Sequence, residues 1–158
     1  MPLKIELKAK DKLVVNGAVF ENVGANATLL FHNNSAILRE KEILSDEDAT
    51  TPASRVYFAL QCAYMFPEKK QHFVDLFHGF LQDYMDACPS AENIRDEIDD
   101  AVKKENIYKA LRKTHKLIIH EQDVFKGLGK SMQQKLLDLT SPDAPAKNKP
   151  NTQTDTAD

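Results

Sequence analysis

The sequence lacks any apolar run close to the roughly 18 residues of a membrane-spanning helix. Met1–Leu7 contains neither the apolar stretch nor the cleavage site of a signal peptide. Only two cysteines are present, Cys62 and Cys88, which is too few for a disulfide framework. We therefore expect a cytoplasmic protein with no membrane contact, in which both thiols are reduced and partly buried.

The sequence also lacks the motifs of catalysis. It has no glycine-rich phosphate loop, no nucleophile elbow and no metal motif. The five histidines are never spaced at i, i+4, and no Cys-x-x-Cys accompanies them. Acidic side chains cluster at residues 96–100 without the glycine turns of a calcium loop, which favours a solvated helix face. We expect no enzymatic activity, no metal and no cofactor.

A strong positive charge is missing as well, since the net charge is −3 and the pI is near 6.0. The charge is nevertheless unevenly distributed: +1 over residues 1–44, −8 over 45–100 and +4 over 101–126. Non-specific polyanion binding needs a strong positive field. Any contact with nucleic acid must therefore be local and must keep the acidic middle segment away from phosphate.

A chain of 158 residues indicates one domain, or two small lobes that share a core. Apolar and polar residues alternate from Leu3 to Lys8, the period of a half-buried strand. Asn16-Gly17 is a strong hairpin signal, because both residues tolerate the positive φ of a type I′ turn. The pattern predicts five antiparallel strands arranged as a meander: Leu3–Lys8, Lys12–Val15, Ala18–Val23, Ala27–His32 and Ser35–Arg39. So small a β unit must pack on helices, on another copy of itself, or on both.

Apolar spacing of three and four residues then predicts about four helices. Thr51-Pro52 is a helix start signal, and Cys88-Pro89 ends the second helix. Ser90 is predicted to cap the third. The fourth is expected over about Ile107–Phe125, ended by Gly127 and Gly129. The second helix carries an aromatic-rich stripe that favours a core-facing surface over a docking groove: Phe73, Leu76, Phe77, Phe80, Leu81, Tyr84 and Met85.

The predicted fold class is α+β. Its parts are a small five-stranded antiparallel β unit over residues 1–44, a bundle of about four helices over 45–126, and a flexible tail over 127–158. Beyond Thr140 the proline-rich polar composition cannot bury a core and predicts disorder.

Two groups of basic residues are candidates for binding. Those of the β unit could contact single-stranded or looped RNA, if the first and last strands are neighbours; they are Lys4, Lys8, Lys10, Lys12, Arg39 and Lys41. Those of the fourth helix could contact RNA or a protein partner; they are Lys109, Arg112, Lys113 and Lys116. Both groups are also compatible with ordinary solvated faces, and nearby carboxylates balance the first of them: Glu6, Glu40 and Glu42.

Four blocks of the sequence occur in an order that resembles the FlbT family: PLKIELKAKDKLVVNGAV, AILREKEIL, TTPASRVYFALQ and NIYKALRKTHKLI, within about residues 2–125. The resemblance implies a cytoplasmic post-transcriptional regulator, usually a repressor, that acts on the 5′ leader of flagellin mRNA. It also implies functional linkage to a companion regulator, FlaF. The alternative is an adapter protein that binds FlaF, flagellin or a decay factor and affects RNA only indirectly.

The β unit alone resembles the carbon storage regulator (CsrA) fold through its first strand, its Asn-Gly hairpin and the run Leu38–Ile43. The resemblance implies a homodimer through the β unit, with RNA bound by the first and last strands. Arg39 matches the last-strand arginine of that family. The first-strand basic pair is represented by Leu7-Lys8, and Lys10 stands where the turn usually has glycine.

Overall fold

The computed structural model describes residues 2–140, and these form an α+β fold as the sequence predicts. The strands are β1 (Leu3–Leu7), β2 (Lys12–Val15), β3 (Ala18–Glu21), β4 (Ala27–Phe31) and β5 (Ile37–Arg39). The helices are α1 (Pro52–Met65), α2 (Lys70–Ala87), α3 (Glu92–Lys103) and α4 (Ile107–Thr140). Within this part of the chain, no helix combines the length and apolar character needed to cross a bilayer.

The five strands lie in two small antiparallel sheets. One sheet pairs β1 with β4, and the other has the order β3-β2-β5. The predicted meander is therefore wrong, since only the β2–β3 hairpin joins strands that are consecutive in sequence. The first and last strands also lie in different sheets. The alternation of apolar residues defines each strand and its buried face, but it does not specify the partner strand.

The β2–β3 hairpin turns at Asn16-Gly17, where both residues have positive φ, 49° and 86°. This confirms the turn predicted from the sequence. The Asn16 Oδ1 accepts a hydrogen bond of 2.9 Å from the backbone N–H of Ala36, which connects the turn to the segment before β5. A Cβ atom at Gly17 would lie 3.0 Å from the Phe66 ring, so the hairpin closely approaches the end of α1.

Helix α1 begins as predicted, with Thr51 as the N-cap and Pro52 in the first turn. Its N-terminus also receives a distant side chain, because Oε2 of the buried Glu121 accepts a hydrogen bond of 2.9 Å from the N–H of Ala53. The prediction that Ser90 caps α3 is wrong. A short 3-10 turn, Pro89–Ala91, precedes that helix, and the Ser90 hydroxyl instead lies 3.0 Å from Nε2 of His120.

Helix α4 continues through Gly127 and Gly129 to Thr140, so the predicted end near Phe125 is wrong. Neither glycine has the positive φ of a helix C-cap. Glycine weakens a helix but, unlike proline, does not forbid it. The rest of the predicted tail, residues 141–158, lies outside the described residues. The chain divides into two compact units, the first ending at Glu121 and the second beginning at Gln122.

The core of the first unit joins strands to helices. Val14 and Leu38 belong to the same buried cluster as residues of all four helices. A second cluster lies beneath the strands and contains Ile5, Leu7, Leu13 and Ile37. The stripe on α2 is only partly core: Phe77, Leu81, Tyr84 and Met85 are buried, Phe73 and Phe80 are half-buried, and Leu76 is 40% exposed.

Candidate nucleic-acid interface

Four of the six basic residues predicted to bind RNA line one open depression of about 500 Å³. We call it the strand cleft; it is formed by Leu7, Lys8, Asp11, Lys12, Arg39, Glu40 and Lys41. All four basic side chains are exposed. The cleft therefore brings together four cations, two carboxylates and one apolar residue, Leu7.

Pairing of β2 with β5 explains why residues so distant in sequence meet here. Leu13 lies opposite Arg39 in this ladder, which brings the neighbouring Lys12 close to the end of β5. The turn after β1 supplies Lys8. Its N–H donates to Oδ2 of Asp11 at 2.9 Å, and its carbonyl accepts from the N–H of Asp11 at 3.1 Å.

The same turn holds Lys10 at a φ of 69°, in the left-handed region that favours glycine. Asn22 stabilises it from the other side: its Nδ2 donates to the carbonyls of Leu7 and Lys8 at 3.0 and 3.2 Å. From the sequence, Asn22 is predicted only as part of the strand Ala18–Val23. The available signal was Asn-x-Gly, because the N–H of Gly24 donates to Oδ1 of Asn22 at 3.1 Å, as in an Asx turn.

Arg39 has the position that contact with an anion requires. It is exposed, and it takes part in no salt bridge among residues 2–140. Its backbone N–H donates to Oε2 of Glu42 at 2.9 Å, which fixes the chain where β5 passes into the 3-10 turn Glu40–Glu42. The guanidinium is thus available to a ligand while its backbone is held in place.

The remaining two predicted residues lie apart from this cleft. Lys4 is exposed on β1, opposite Leu30 of β4, and Lys10 is exposed in the turn. Neither lines the strand cleft.

The basic residues of α4 line a second depression of about 470 Å³. We call it the helix cleft; it is formed by Asn106, Tyr108, Lys109, Arg112, Lys113 and Lys116. Two of its cations are already paired, since Oε2 of Glu97 lies 3.2 Å from Lys113 and 2.9 Å from Lys116. Hydrogen bonds from Lys116 and Lys113 lower the pKa of Glu97, and the same contact raises the pKa of Lys116.

Glu42 connects the two clefts. Its Oε2 accepts from Arg39 N–H, and its Oε1 accepts a hydrogen bond of 2.9 Å from the hydroxyl of Tyr108. Its carbonyl accepts from the hydroxyl of Tyr57 at 2.6 Å. Burial, and then the charge of Glu42, raises the pKa of Tyr57 to about 12. From the sequence, Glu42 is predicted only to balance nearby basic charge, since nothing local in the sequence indicates a partner 66 residues away.

A third depression, of about 360 Å³, lies beside helices α1 and α2. We call it the aromatic groove; it is formed by Asp46, Ala49, Arg55, Phe58, Ala59, Phe73, Leu76 and Phe80. It uses the half-exposed part of the α2 stripe. A docking surface on α2 therefore remains compatible with the structure at Phe73, Leu76 and Phe80, which line this groove.

Fold and clefts together define a class: a small α+β protein in which cationic side chains line two open clefts. The sequence model of one family, described as "Flagellar protein FlbT", matches residues 3–125. The chain belongs to the FlbT family.

Three relatives show how much of the chain is shared. "Probable flagellum biosynthesis repressor protein FlbT" of Rhodopseudomonas palustris is 34% identical over 124 residues, which cover 78% of this chain and 98% of the relative. "Probable flagellum biosynthesis repressor protein FlbT 1" of Bradyrhizobium diazoefficiens is 36% identical over 124 residues, 77% of this chain and 84% of the relative. "Flagellum biosynthesis repressor protein FlbT" of Caulobacter vibrioides is 34% identical over 125 residues, which cover 78% of this chain and 89% of the relative.

No solved structure gives a significant match to the chain. The likeness of the β unit to the CsrA fold therefore stays a resemblance in sequence.

Proposed function

We propose that this protein is a post-transcriptional regulator of flagellin synthesis that binds the 5′ leader of flagellin mRNA through the strand cleft and alters its translation or decay. The observation that carries the proposal is the meeting of Lys8, Lys12, Arg39 and Lys41 around one open recess. Support comes from the relatives, whose names describe repressors of flagellum biosynthesis. We further propose that the protein acts in the cytoplasm, and that the β unit and the helical unit have separate roles.

The cleft suits a short stretch of single-stranded or looped RNA. Its cations can contact phosphates, while Asp11, Glu40 and exposed backbone groups can accept or donate hydrogen bonds at base edges. The net charge of the chain is −3, so affinity must come from these few local contacts. Binding should therefore weaken with salt along a shallow slope that reflects a few phosphate contacts.

A gel-shift assay with flagellin leader RNA and a shuffled control tests the proposal. Arg39→Ala and Lys8→Ala should each weaken the shift of the leader, because each removes one cation from the cleft. Lys4→Ala is the matched control. It removes an exposed lysine of β1, the strand that ends at the cleft, but Lys4 does not line the cleft. Circular dichroism establishes that all three variants fold. Leader binding that both cleft variants retain in full would overturn the proposal.

The second candidate function is an adapter for FlaF, flagellin or a decay factor, with only indirect effects on RNA. The observation that favours it is the aromatic groove, where Leu76 remains 40% exposed beside Phe73 and Phe80. The helix cleft adds a cationic surface for an acidic partner. Pull-down from nuclease-treated lysate separates the two functions. A partner captured without RNA, and lost in Leu76→Asp, would support the adapter.

The homodimer through the β unit that the CsrA resemblance implies also stays a proposal. Apolar side chains on its surface support it, because Phe20 is 53% and Leu30 is 51% exposed. They border an apolar recess of about 310 Å³ together with Leu13, Val15, Leu29 and Phe31.

A further inference from the structure

Of the two cationic clefts, the helix cleft has the larger excess of positive charge. The strand cleft combines its four cations with the carboxylates of Asp11 and Glu40. Within residues 2–140, no carboxylate lines the helix cleft, and only Glu97 forms salt bridges with its cations. Four cations and one paired carboxylate leave an excess of three positive charges in the helix cleft, against two in the strand cleft.

The four cations of the helix cleft lie on one face of α4. Their positions, 109, 112, 113 and 116, fall within a sector of about 100° and extend over about 10 Å of the helix axis. Lys109 and Arg112 are exposed and take part in no salt bridge among residues 2–140. Both are therefore available to an anion, and they belong to the part of the cleft nearest the N-terminus of α4.

Glu97 holds the other two cations close together. Its Oε2 contacts Nζ of both Lys113 and Lys116, at 3.2 and 2.9 Å. A single carboxylate charge thus serves two ammonium groups, which still repel each other. A second anion in the cleft would relieve this repulsion, and it would meet ammonium groups that are already held in position.

Uncharged groups at the start of α4 complete the cleft. Asn106 caps the helix, because its Oδ1 accepts a hydrogen bond of 3.1 Å from the N–H of Lys109. Its Nδ2 donates to no protein group among residues 2–140, so this donor remains for a ligand. The Tyr108 ring, half-buried against Tyr64 with ring centroids 5.5 Å apart, adds an aromatic surface. The N-terminus of the helix contributes further partial positive charge.

We propose that the helix cleft binds a compact ligand with two or three linked phosphates, the group shared by nucleoside diphosphates and triphosphates and by inorganic pyrophosphate. Lys109 and Arg112 contact the phosphate oxygens, and the guanidinium does so with two parallel hydrogen bonds. A base, where the ligand has one, meets the Tyr108 ring and the Asn106 amide. The cleft volume of about 470 Å³ is in the range usual for small-molecule sites.

The charges around the cleft favour a compact anion over a polymer. Glu97 borders the cleft at Lys113 and Lys116, and Glu42 contacts Tyr108. Residues 45–100, which include α3, carry a net charge of −8. A long polyanion that continued beyond the cleft would run past these carboxylates and be repelled. Two or three linked phosphates match the length of the cationic face and need not extend beyond it.

Isothermal titration calorimetry of the full chain tests the site directly. Pyrophosphate should bind, whereas orthophosphate and sulfate at equal ionic strength should bind several-fold more weakly, because each offers only one anionic centre. ADP in the same buffer distinguishes the sources. Tighter binding of ADP than of pyrophosphate assigns the site to a nucleotide, and equal or weaker binding assigns it to inorganic linked phosphates. No RNA is present, so the result is independent of the proposed function.

Variants place the bound anion in the helix cleft. Arg112→Ala and Lys109→Ala should each lower the affinity for pyrophosphate about tenfold, as expected for one lost charge-assisted hydrogen bond. Arg112→Lys keeps the charge but not the paired hydrogen bonds, and its loss should be intermediate. Lys126→Ala is the matched control, since it removes an exposed lysine of the same helix that does not line the cleft. Every replaced side chain is exposed, and circular dichroism verifies the folds.

Four results would overturn the proposal. Pyrophosphate that binds no more tightly than orthophosphate would show that linked phosphates are not recognised. An equal loss in Lys126→Ala and Arg112→Ala would indicate general charge attraction. A loss in Arg39→Ala but not in Arg112→Ala would place the anion in the strand cleft. Leader RNA that displaces pyrophosphate, and that binds Arg112→Ala more weakly than the unaltered protein, would assign the helix cleft to RNA.

Discussion

Tyr108 donates a hydrogen bond of 2.9 Å to Oε1 of Glu42 and so fastens the first turn of α4 to the segment that follows β5. The other carboxylate oxygen of Glu42 holds the backbone of Arg39. One side chain thereby fixes the position of the strand cleft relative to the helix cleft. The geometry of the proposed RNA site depends on a contact between residues that are far apart in sequence.

We expect Tyr108→Phe to lower the free energy of unfolding by about 1 kcal/mol, because it removes a hydrogen bond to a carboxylate that is partly screened by solvent. Glu42→Gln should cost a similar amount, since the weaker amide acceptor replaces the carboxylate. Urea denaturation of both single variants and of the double variant measures the coupling. Strictly additive effects would show that the two side chains do not interact in solution.

The strands and helices can be located from the sequence, because alternation and three-four spacing are local patterns. Features that depend on distant partners cannot. The pairing of β1 with β4, and of β2 with β5, cannot be read from either strand alone. The strand cleft nevertheless contains Lys8 and Arg39, because β2 and the turn before it approach the end of β5.

The same dependence on distant partners explains why the contacts of Glu42 and Asn22 could not be predicted from the sequence. Glu42 and Asn22 resemble ordinary polar residues of turns until their partners are known. Glu121 left a faint signal: it lies on the buried face of α4, in register with Thr114 and Leu117. A carboxylate on an apolar face requires a hydrogen-bond donor, here the N-terminus of α1.

We expect Glu121→Ala to destabilise the protein by about 1–3 kcal/mol, because it leaves the buried N–H of Ala53 without its acceptor and removes a negative charge from a helix N-terminus. Glu121 is 5% exposed, so water cannot easily replace it. Asp123→Ala, an exposed acidic residue on the same helix, is the control and should change little. Thermal unfolding followed by circular dichroism compares them. Equal midpoints for the two variants would contradict this role of Glu121.

Tyr57, whose hydroxyl donates to the carbonyl of Glu42, should make the stability of the protein sensitive to alkali. Burial raises the pKa of Tyr57 to about 12, whereas an unfolded chain ionises near its ordinary value of about 10. The unfolded state therefore loses the proton first, and stability falls as pH rises from about 10 to 12. Tyr57→Phe should flatten this part of the stability curve, although it costs about 1 kcal/mol at neutral pH through the lost bond to Glu42. Urea midpoints measured from pH 8 to 11.5 test this, and parallel curves for the two proteins would refute it.

Glu97 limits the charge of the helix cleft. Its carboxylate holds both Lys113 and Lys116, so Glu97→Gln should release two cations. We expect the variant to elute from heparin at higher salt, because its cleft attracts polyanions more strongly. Affinity for leader RNA should stay unchanged if RNA occupies only the strand cleft. Asp100→Asn is the matched control, since it breaks an exposed pair with Lys104 away from the cleft. A rise in RNA affinity for Glu97→Gln alone would extend the RNA site to the helix cleft.

Substitution of Gly127 or Gly129 by alanine should stabilise α4. A Cβ atom at Gly127 or Gly129 would meet nothing within 4 Å, and both residues already have helical φ. Alanine should therefore stabilise the helix by about 1 kcal/mol at each position. Hydrogen exchange of the amides in residues 122–140 should slow in the double alanine variant. Gly79→Ala, equally open but within α2, is the control and should instead raise the unfolding free energy of the first unit. Faster exchange after Gly129→Ala would indicate that the glycine ends the helix in solution, because alanine would then be strained at positive φ.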